Sequence, residues 1–252
     1  EHAMVAAYLY LNAVLYLVGL LVVLRMDARP FDATSTDARY WDDLSAGLRF
    51  IAHRPALAGF VGIYVLKLAV FVSLLVFIPM LVQASLDGAV RWVAVLETAF
   101  SLGAIATAVG LSLRRAHGSL YAGYAATLAI LGALMVLTST LSNPASLIVT
   151  VTAMGACAAW LLASSNILFQ KAVPDQMKAR FFGILDTLAA AATPVGYGIV
   201  GATFGVSNVH GVLSVNGIAL VVLGVVVMLV PRVSLQRATP GDLMDDLQGG
   251  PA

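Results

Sequence analysis

Stretches of about twenty apolar residues, the length that crosses some 30 Å of hydrocarbon as a helix, recur seven times in this chain with polar breaks between them. No other feature restricts the fold as strongly. A water-soluble domain is about 45–50% apolar and about 25% charged. This chain of 252 residues is 60% hydrophobic and 11% charged. Lipid is the solvent that accepts so much apolar surface. The runs do not alternate in polarity with a period of two, which argues against a membrane β-barrel. The expectation is an all-α polytopic membrane protein with helices near Ala3–Leu24, Leu57–Val82, Val90–Leu113, Leu120–Thr138, Ala145–Phe169, Phe181–Gly205 and Gly211–Val230.

The basic residues orient these spans. Twelve fall in connections of one parity: Arg25, Arg29, Arg39, Arg49, Arg54, Arg114, Arg115, Lys171, Lys178, Arg180, Arg232 and Arg237. Connections of the other parity hold only Arg91, and Lys67 lies within a span. Cytoplasmic loops carry the excess of Lys and Arg. The reading is therefore a multi-pass protein of the cell inner (plasma) membrane, N-terminus outside and C-terminus cytoplasmic. In the stretch QKAVPDQMKARFFG, Pro174 and Asp175 are expected to break one helix and open a short cytoplasmic loop held by Lys178 and Arg180. Four regions follow: 1–24, a transmembrane helix; 25–56, a cytoplasmic loop; 57–231, a six-helix bundle; and 232–252, a polar, glycine-rich tail expected to be disordered. Within the loop, Asp42 and Asp43 precede Leu44, Leu48 and Ile51 on one face, which predicts a short helix lying on the inner interface.

The six helices after the loop divide as three plus three. The second helix of each triplet opens alike, RWVAVLET and RFFGILDT, with an Arg followed six residues later by an acidic-Thr pair (Arg91 to Glu97-Thr98, Arg180 to Asp186-Thr187). The two helices run in opposite senses across the membrane, as in an inverted-topology repeat.

Three segments carry a family resemblance. DLSAGLRFIAHRPAL resembles the approach to the seventh helix of bacterial efflux members of the major facilitator superfamily. NILFQKAVPDQMKARFFGIL resembles the connection between their tenth and eleventh helices. GLSLRRAHGSLYAG, which contains Arg114 and Arg115, resembles their loop between the eighth and ninth helices, without its acidic residue and with a longer spacing to Gly118. The resemblance covers nearly the whole chain, as the C-terminal half of a twelve-helix transporter plus the preceding helix, and the similar group is the drug, macrolide and siderophore exporters. It implies a secondary active transporter that exports small amphipathic molecules by alternating access and is coupled to protons. The partners it implies are the lipid bilayer, a small-molecule substrate, protons and an N-terminal six-helix bundle, with no nucleic acid. The alternative is a non-transporting membrane fragment or scaffold, inert without such a partner half. Further apolar spans encoded upstream of Glu1 would separate the two readings.

Residues able to carry chemistry are few. Lys67 sits deep in its span, where a charge costs at least about 2.5–3.5 kcal/mol and needs a partner or a hydrated cavity. Glu97 and Asp186 each lie near one end of a span and are candidate partners. Together the three form a candidate substrate path and coupling site. Asn166 and Gln170 share a helix face near the inner end of their span and read either as substrate ligands or as interhelical hydrogen-bonding groups. Asn12 is a lone amide. Tyr64, Phe71 and Phe77 line either an apolar path or lipid. Pro79 and Pro194 favour kinks, and Gly196, Gly198, Gly201 and Gly205 permit close helix approach. His53, His117 and His210 fall at loops or span ends, with no metal-binding spacing and a solvated role expected. Cys157 is alone, so no disulfide within the chain is possible. No paired nucleophile and base, nucleotide cradle or metal cluster is visible, so neither an enzyme nor a cofactor is expected.

Overall fold

In the computed structural model, which describes residues 2–25, 37–86, 89–113, 119–203 and 209–229, the described residues form eight α-helices, seven from the apolar runs and one from the long loop. They are α1 (His2–Arg25), α2 (Asp37–Ala52), α3 (Pro55–Ser85), α4 (Val90–Leu113), α5 (Leu120–Thr138), α6 (Pro144–Ala172), α7 (Asp175–Thr203) and α8 (Val209–Leu229). Among the described residues α4, α5, α6 and α8 are each long and apolar enough to cross a membrane. Arg114, Arg115, His117, Gly205, residues 26–36 of the long loop and the tail 232–252 lie outside the described residues.

The helix ends follow from local chemistry. Pro55 and Pro144 occupy first-turn positions, where the missing N–H is harmless. Asn143 and Ser119 cap α6 and α5 by accepting backbone N–H bonds from Ala145 and Ala122. Between α6 and α7 only Val173 and Pro174 are non-helical. The expected loop is thus shorter than the sequence reading had it. Asp175 opens α7 rather than a loop, and its carboxylate accepts from Lys178 one turn on. A carboxylate at a helix N-terminus faces the positive end of the backbone dipole, which favours starting the helix there. Lys178 and Arg180 therefore project from a helix.

The chain separates into two units, residues 1–43 and 44–252. In the first, α1 is an apolar rod whose side chains from Ala13 to Arg25 are exposed. In the second, the helix segment Ser45–Ala52 meets Pro55–Phe71 at 106°. Phe50 and Ile51 are buried, and the Arg54 guanidinium lies 4.4 Å from the Phe50 ring centroid. Gly47 runs against α7, where an added Cβ would lie 2.5 Å from Ile184 Cδ1.

The six helices α3 to α8 pack in a defined set of pairs. The most extensive are α5 with α8 and α4 with α6, followed by α5 with α6, α3 with α7, α3 with α8, and α3 with α4. Lipid tails are as apolar as leucine, so helices in a bilayer gain little from apolar contact alone and associate where small residues let backbones approach. Three seams here have that construction. A Cβ on Gly103 of α4 would fall on the carbonyl of Thr152 in α6, and one on Gly155 of α6 would fall on the carbonyl of Phe100 in α4. Between α5 and α8, Gly132 and Gly217 face each other's carbonyls, and a Cβ on Gly217 would stand 2.6 Å from Gly132 O. Between α3 and α7, a Cβ on Gly196 would stand 2.5 Å from Ala69 O. By contrast Gly198 has open space around it.

The two glycine classes should separate by mutation. Gly103→Val forces α4 and α6 apart and should cost about 1–3 kcal/mol, in the range of overpacked cores. That corresponds to a fall in Tm of about 2–4 °C per kcal/mol, whereas Gly198→Ala should leave Tm unchanged. Scanning fluorimetry of the purified protein in detergent checks both.

Candidate functional site

An aromatic cluster sits where the starts of α3, α5 and α7 meet the end of α6. Phe60 and Phe169 lie 5.0 Å apart by ring centroid, Phe169 and Phe181 5.2 Å, Phe60 and Tyr124 5.2 Å, and Tyr64 and Phe169 5.4 Å. Tyr121 joins at 6.2 Å from Phe60. Each helix contributes because its apolar face turns inward at this level. Phe169, Phe181 and Tyr124 are essentially inaccessible to solvent.

Lys67 lies one turn beyond Tyr64 on α3, about 18 Å along the helix from Pro55 at 1.5 Å per residue. It is only 5% exposed. Its Nζ rests 4.4 Å from the Tyr64 ring centroid, a cation–π contact worth about 2 kcal/mol when desolvated. Among the described residues no carboxylate forms an ion pair with Lys67. The deep cation is therefore met by the face of a ring and not by a carboxylate.

Asp186 sits on α7, the neighbour of α3, and its side chain is exposed. Its carboxylate is within electrostatic reach of the Tyr64 hydroxyl. Tyr64 thus has a cation over its ring and an anion acting on its rim. Glu97 lies on α4, exposed, and is not brought to this cluster. Its helix carries the Thr98 and Ser101 hydroxyls, which donate back to the Ala94 and Glu97 carbonyls. Asn166 is half-buried and Gln170 exposed near the end of α6. Pro79 is half-buried within α3, and Pro194 is exposed within α7, two residues before the Gly196 contact. Gly201 lies in the last turn of α7.

Among the described residues, two buried donors have no hydrogen-bond partner: Tyr124 Oη and Trp160 Nε1. Sequence reasoning missed Tyr124. Nothing in LYAGYAATL distinguishes a buried tyrosine from one at the headgroup layer until α3, α5 and α6 are seen side by side.

A second polar cluster ties the far end of the bundle. His210 is half-buried, not solvated as its place at a span end implied. Its Nδ1 bonds the Ser139 carbonyl at 2.7 Å, and its Nε2 lies 3.4 Å from Ser85 Oγ. Nδ1 must donate to a carbonyl, so in the neutral ring Nε2 accepts from the Ser85 hydroxyl. Ser139 Oγ and Ser214 Oγ are 2.7 Å apart. These contacts join the ends of α3 and α5 to the first turns of α8.

Lys67 should be dispensable for folding. Lys67→Met removes a desolvated charge costing about 2.5–3.5 kcal/mol at mid-membrane and forfeits a smaller ring contact, so Tm should stay level or rise. Thermal unfolding in detergent reads this directly; a fall of more than about 5 °C, roughly 1–2 kcal/mol, would reveal an ionic partner.

The geometry is that of a membrane-embedded helical bundle with an ionisable group at depth, and comparison with known families agrees. No curated protein and no solved structure matches the chain. Residues 3–245 match the major-facilitator family described as transmembrane secretion effector. That span takes in nearly every residue, and the chain belongs to this transporter family of multi-pass membrane proteins.

Proposed function

We propose that the chain is the substrate-moving bundle of a secondary active transporter, exporting small amphipathic molecules by alternating access with proton coupling. The observation that carries this reading is Lys67: a buried cation with no carboxylate on it, in a membrane protein of a transporter family. An ionisable residue at membrane depth marks a transport pathway by default. Asp186, on the neighbouring helix α7 and within electrostatic reach of Tyr64, is the proposed coupling residue. Glu97, on the exposed side of α4, is a second candidate. Asn166 and Gln170 lie along the proposed path near its inner end.

The proposed architecture is seven spans, of which α3 to α8 form one bundle of two inverted three-helix repeats. The helix pairings support it. Exchange α3 with α6, α4 with α7, and α5 with α8: the pair α4–α6 becomes α7–α3, α5–α6 becomes α8–α3, and α5–α8 maps onto itself, so five of the six packed pairs map onto one another; the sixth, α3–α4, has no such counterpart in α6–α7. The glycine seams follow the same exchange, with Gly103 and Gly155 between α4 and α6 answered by Gly196 between α7 and α3. Such bundles work against a second bundle around a midplane site, and a further six-helix bundle is the proposed partner. The bend of 106° before α3 supports a segment Ser45–Ala52 lying along the inner interface. The cation distribution supports an N-terminus outside and a C-terminus in the cytoplasm, in the cell inner membrane. Pro79, Pro194 and the glycines Gly198, Gly201 and Gly205 are the proposed points of bending.

The test is gradient-driven efflux by full-length protein in proteoliposomes. Asp186→Asn and Glu97→Gln should each leave the protein folded. The variant at the coupling residue should lose the response to an imposed pH gradient by about tenfold or more, in the range of site-to-site coupling of 1–3 kcal/mol. Undiminished gradient-driven transport by one of them across the pH range removes that residue from coupling.

A further inference from the structure

The aromatic cluster around Lys67 holds two features that the folded chain leaves incomplete, and both ask for the same thing. Lys67 is buried, its Nζ lies against the Tyr64 ring, and no carboxylate among the described residues pairs with it. Tyr124 Oη is a buried hydroxyl with no hydrogen-bond partner among the described residues. Phe60 packs edge-on to Tyr124 at 5.2 Å, Tyr64 meets Phe169 edge-on, Phe60 meets Phe169 at a tilt, and the Tyr64 hydroxyl is within electrostatic reach of that of Tyr124. A continuous set of ring contacts, Tyr64 to Phe169 to Phe60 to Tyr124, links the ammonium to the orphaned hydroxyl.

A buried donor left unpaired costs about 1–3 kcal/mol, and a charged one more. Neither cost is relieved by a neutral apolar ligand, and a cationic ligand would be repelled by Lys67. A hydrogen-bond-accepting anion relieves both. The surrounding rings of Phe60, Phe169 and Phe181 suit the apolar body to which that anion is attached. Asp186 is the resident rival: it acts on the Tyr64 hydroxyl from α7 yet forms no ion pair with Lys67.

We propose that Lys67 and Tyr124 form the recognition site for an oxyanion on an aromatic or aliphatic body, so that the exported molecule is an amphipathic organic acid. This rests on the transporter reading above and narrows its substrate class. Lys67 supplies the charge, Tyr124 Oη donates a hydrogen bond, and the Tyr64 ring holds the ammonium in place between visits of the ligand.

The test is binding to full-length protein in lipid nanodiscs, read by calorimetry, with matched probes: 1-naphthoate, decanoate and indole-3-acetate, each against its primary amide, and 1-naphthylmethylamine as the cation. At least one acid should bind about tenfold or more tightly than its amide, the worth of a charge-assisted hydrogen bond, and the amine should bind most weakly. Lys67→Gln should erase the preference for acid over amide, and Lys67→Arg should retain part of it. Tyr124→Phe should weaken acid binding severalfold while sparing the amide. Asp186→Asn should tighten acid binding by removing the like charge. An acid preference of less than twofold for all three pairs in the wild-type protein overturns the proposal without recourse to any variant, as does a preference that survives Lys67→Gln. Acid binding that is intact, with no gradient-driven movement of the same acid in proteoliposomes, would instead leave this site standing and remove the transport reading.

Discussion

Close approach of backbones holds this molecule together. In water, burying leucine against leucine drives helices into contact. In a bilayer that gain largely disappears, because the alternative neighbour is a lipid tail of the same polarity. What remains is van der Waals packing over a tight seam and whatever polar groups can find each other across it. Gly103 with Gly155, Gly132 with Gly217, and Gly196 with Ala69 supply such seams at three helix crossings. Thr138, whose hydroxyl lies 3.6 Å from Met154 Sδ, adds a polar contact between α5 and α6. The buried layer of Leu128, Leu131, Met135, Leu147 and Leu220 then fills space that the glycines have already defined. Polar side chains elsewhere are mostly satisfied within their own helices, as with Ser164 and Ser165, whose hydroxyls donate to carbonyls three or four residues back. They neither demand nor supply a partner.

This division explains why one ionisable group stands out. Hydroxyls can be silenced by the preceding turn of helix, but an ammonium cannot. Lys67 is held by the negative face of Tyr64, which tolerates the charge without neutralising it. A closed, static bundle would be more stable with methionine at that position.

Much of the fold was legible in the sequence because the bilayer imposes a length and a periodicity on every span. The limits of α4 and α5 coincide with the apolar runs, and those of α1, α6 and α8 differ by at most three residues. The largest departure is the start of α7, six residues earlier than the apolar run at Phe181. Hydrophobicity alone misses that turn and a half, because Asp175, Lys178 and Arg180 make a helix through capping and an ion pair rather than through burial. The site was less legible. Lys67 announces itself as a charge in an apolar run. Tyr124 and Gly155 do not, since their meaning depends on which helix lies opposite. The run of glycines after Pro194 drew attention by density, yet the tightest crossing lies between Gly103 and Gly155, which are isolated glycines in alanine-rich stretches. His210 likewise gains its role only from Ser85 and Ser139, residues distant in sequence and brought to its ring by the packing of three helices.

Tyr64 gives the deep ammonium a neutral neighbour. A ring face attracts a cation through its quadrupole without carrying a formal charge of its own. A carboxylate in its place would cancel the lysine's charge in a closed ion bridge; against the ring, Lys67 keeps its net positive charge, while Asp186 acts on the Tyr64 hydroxyl from α7.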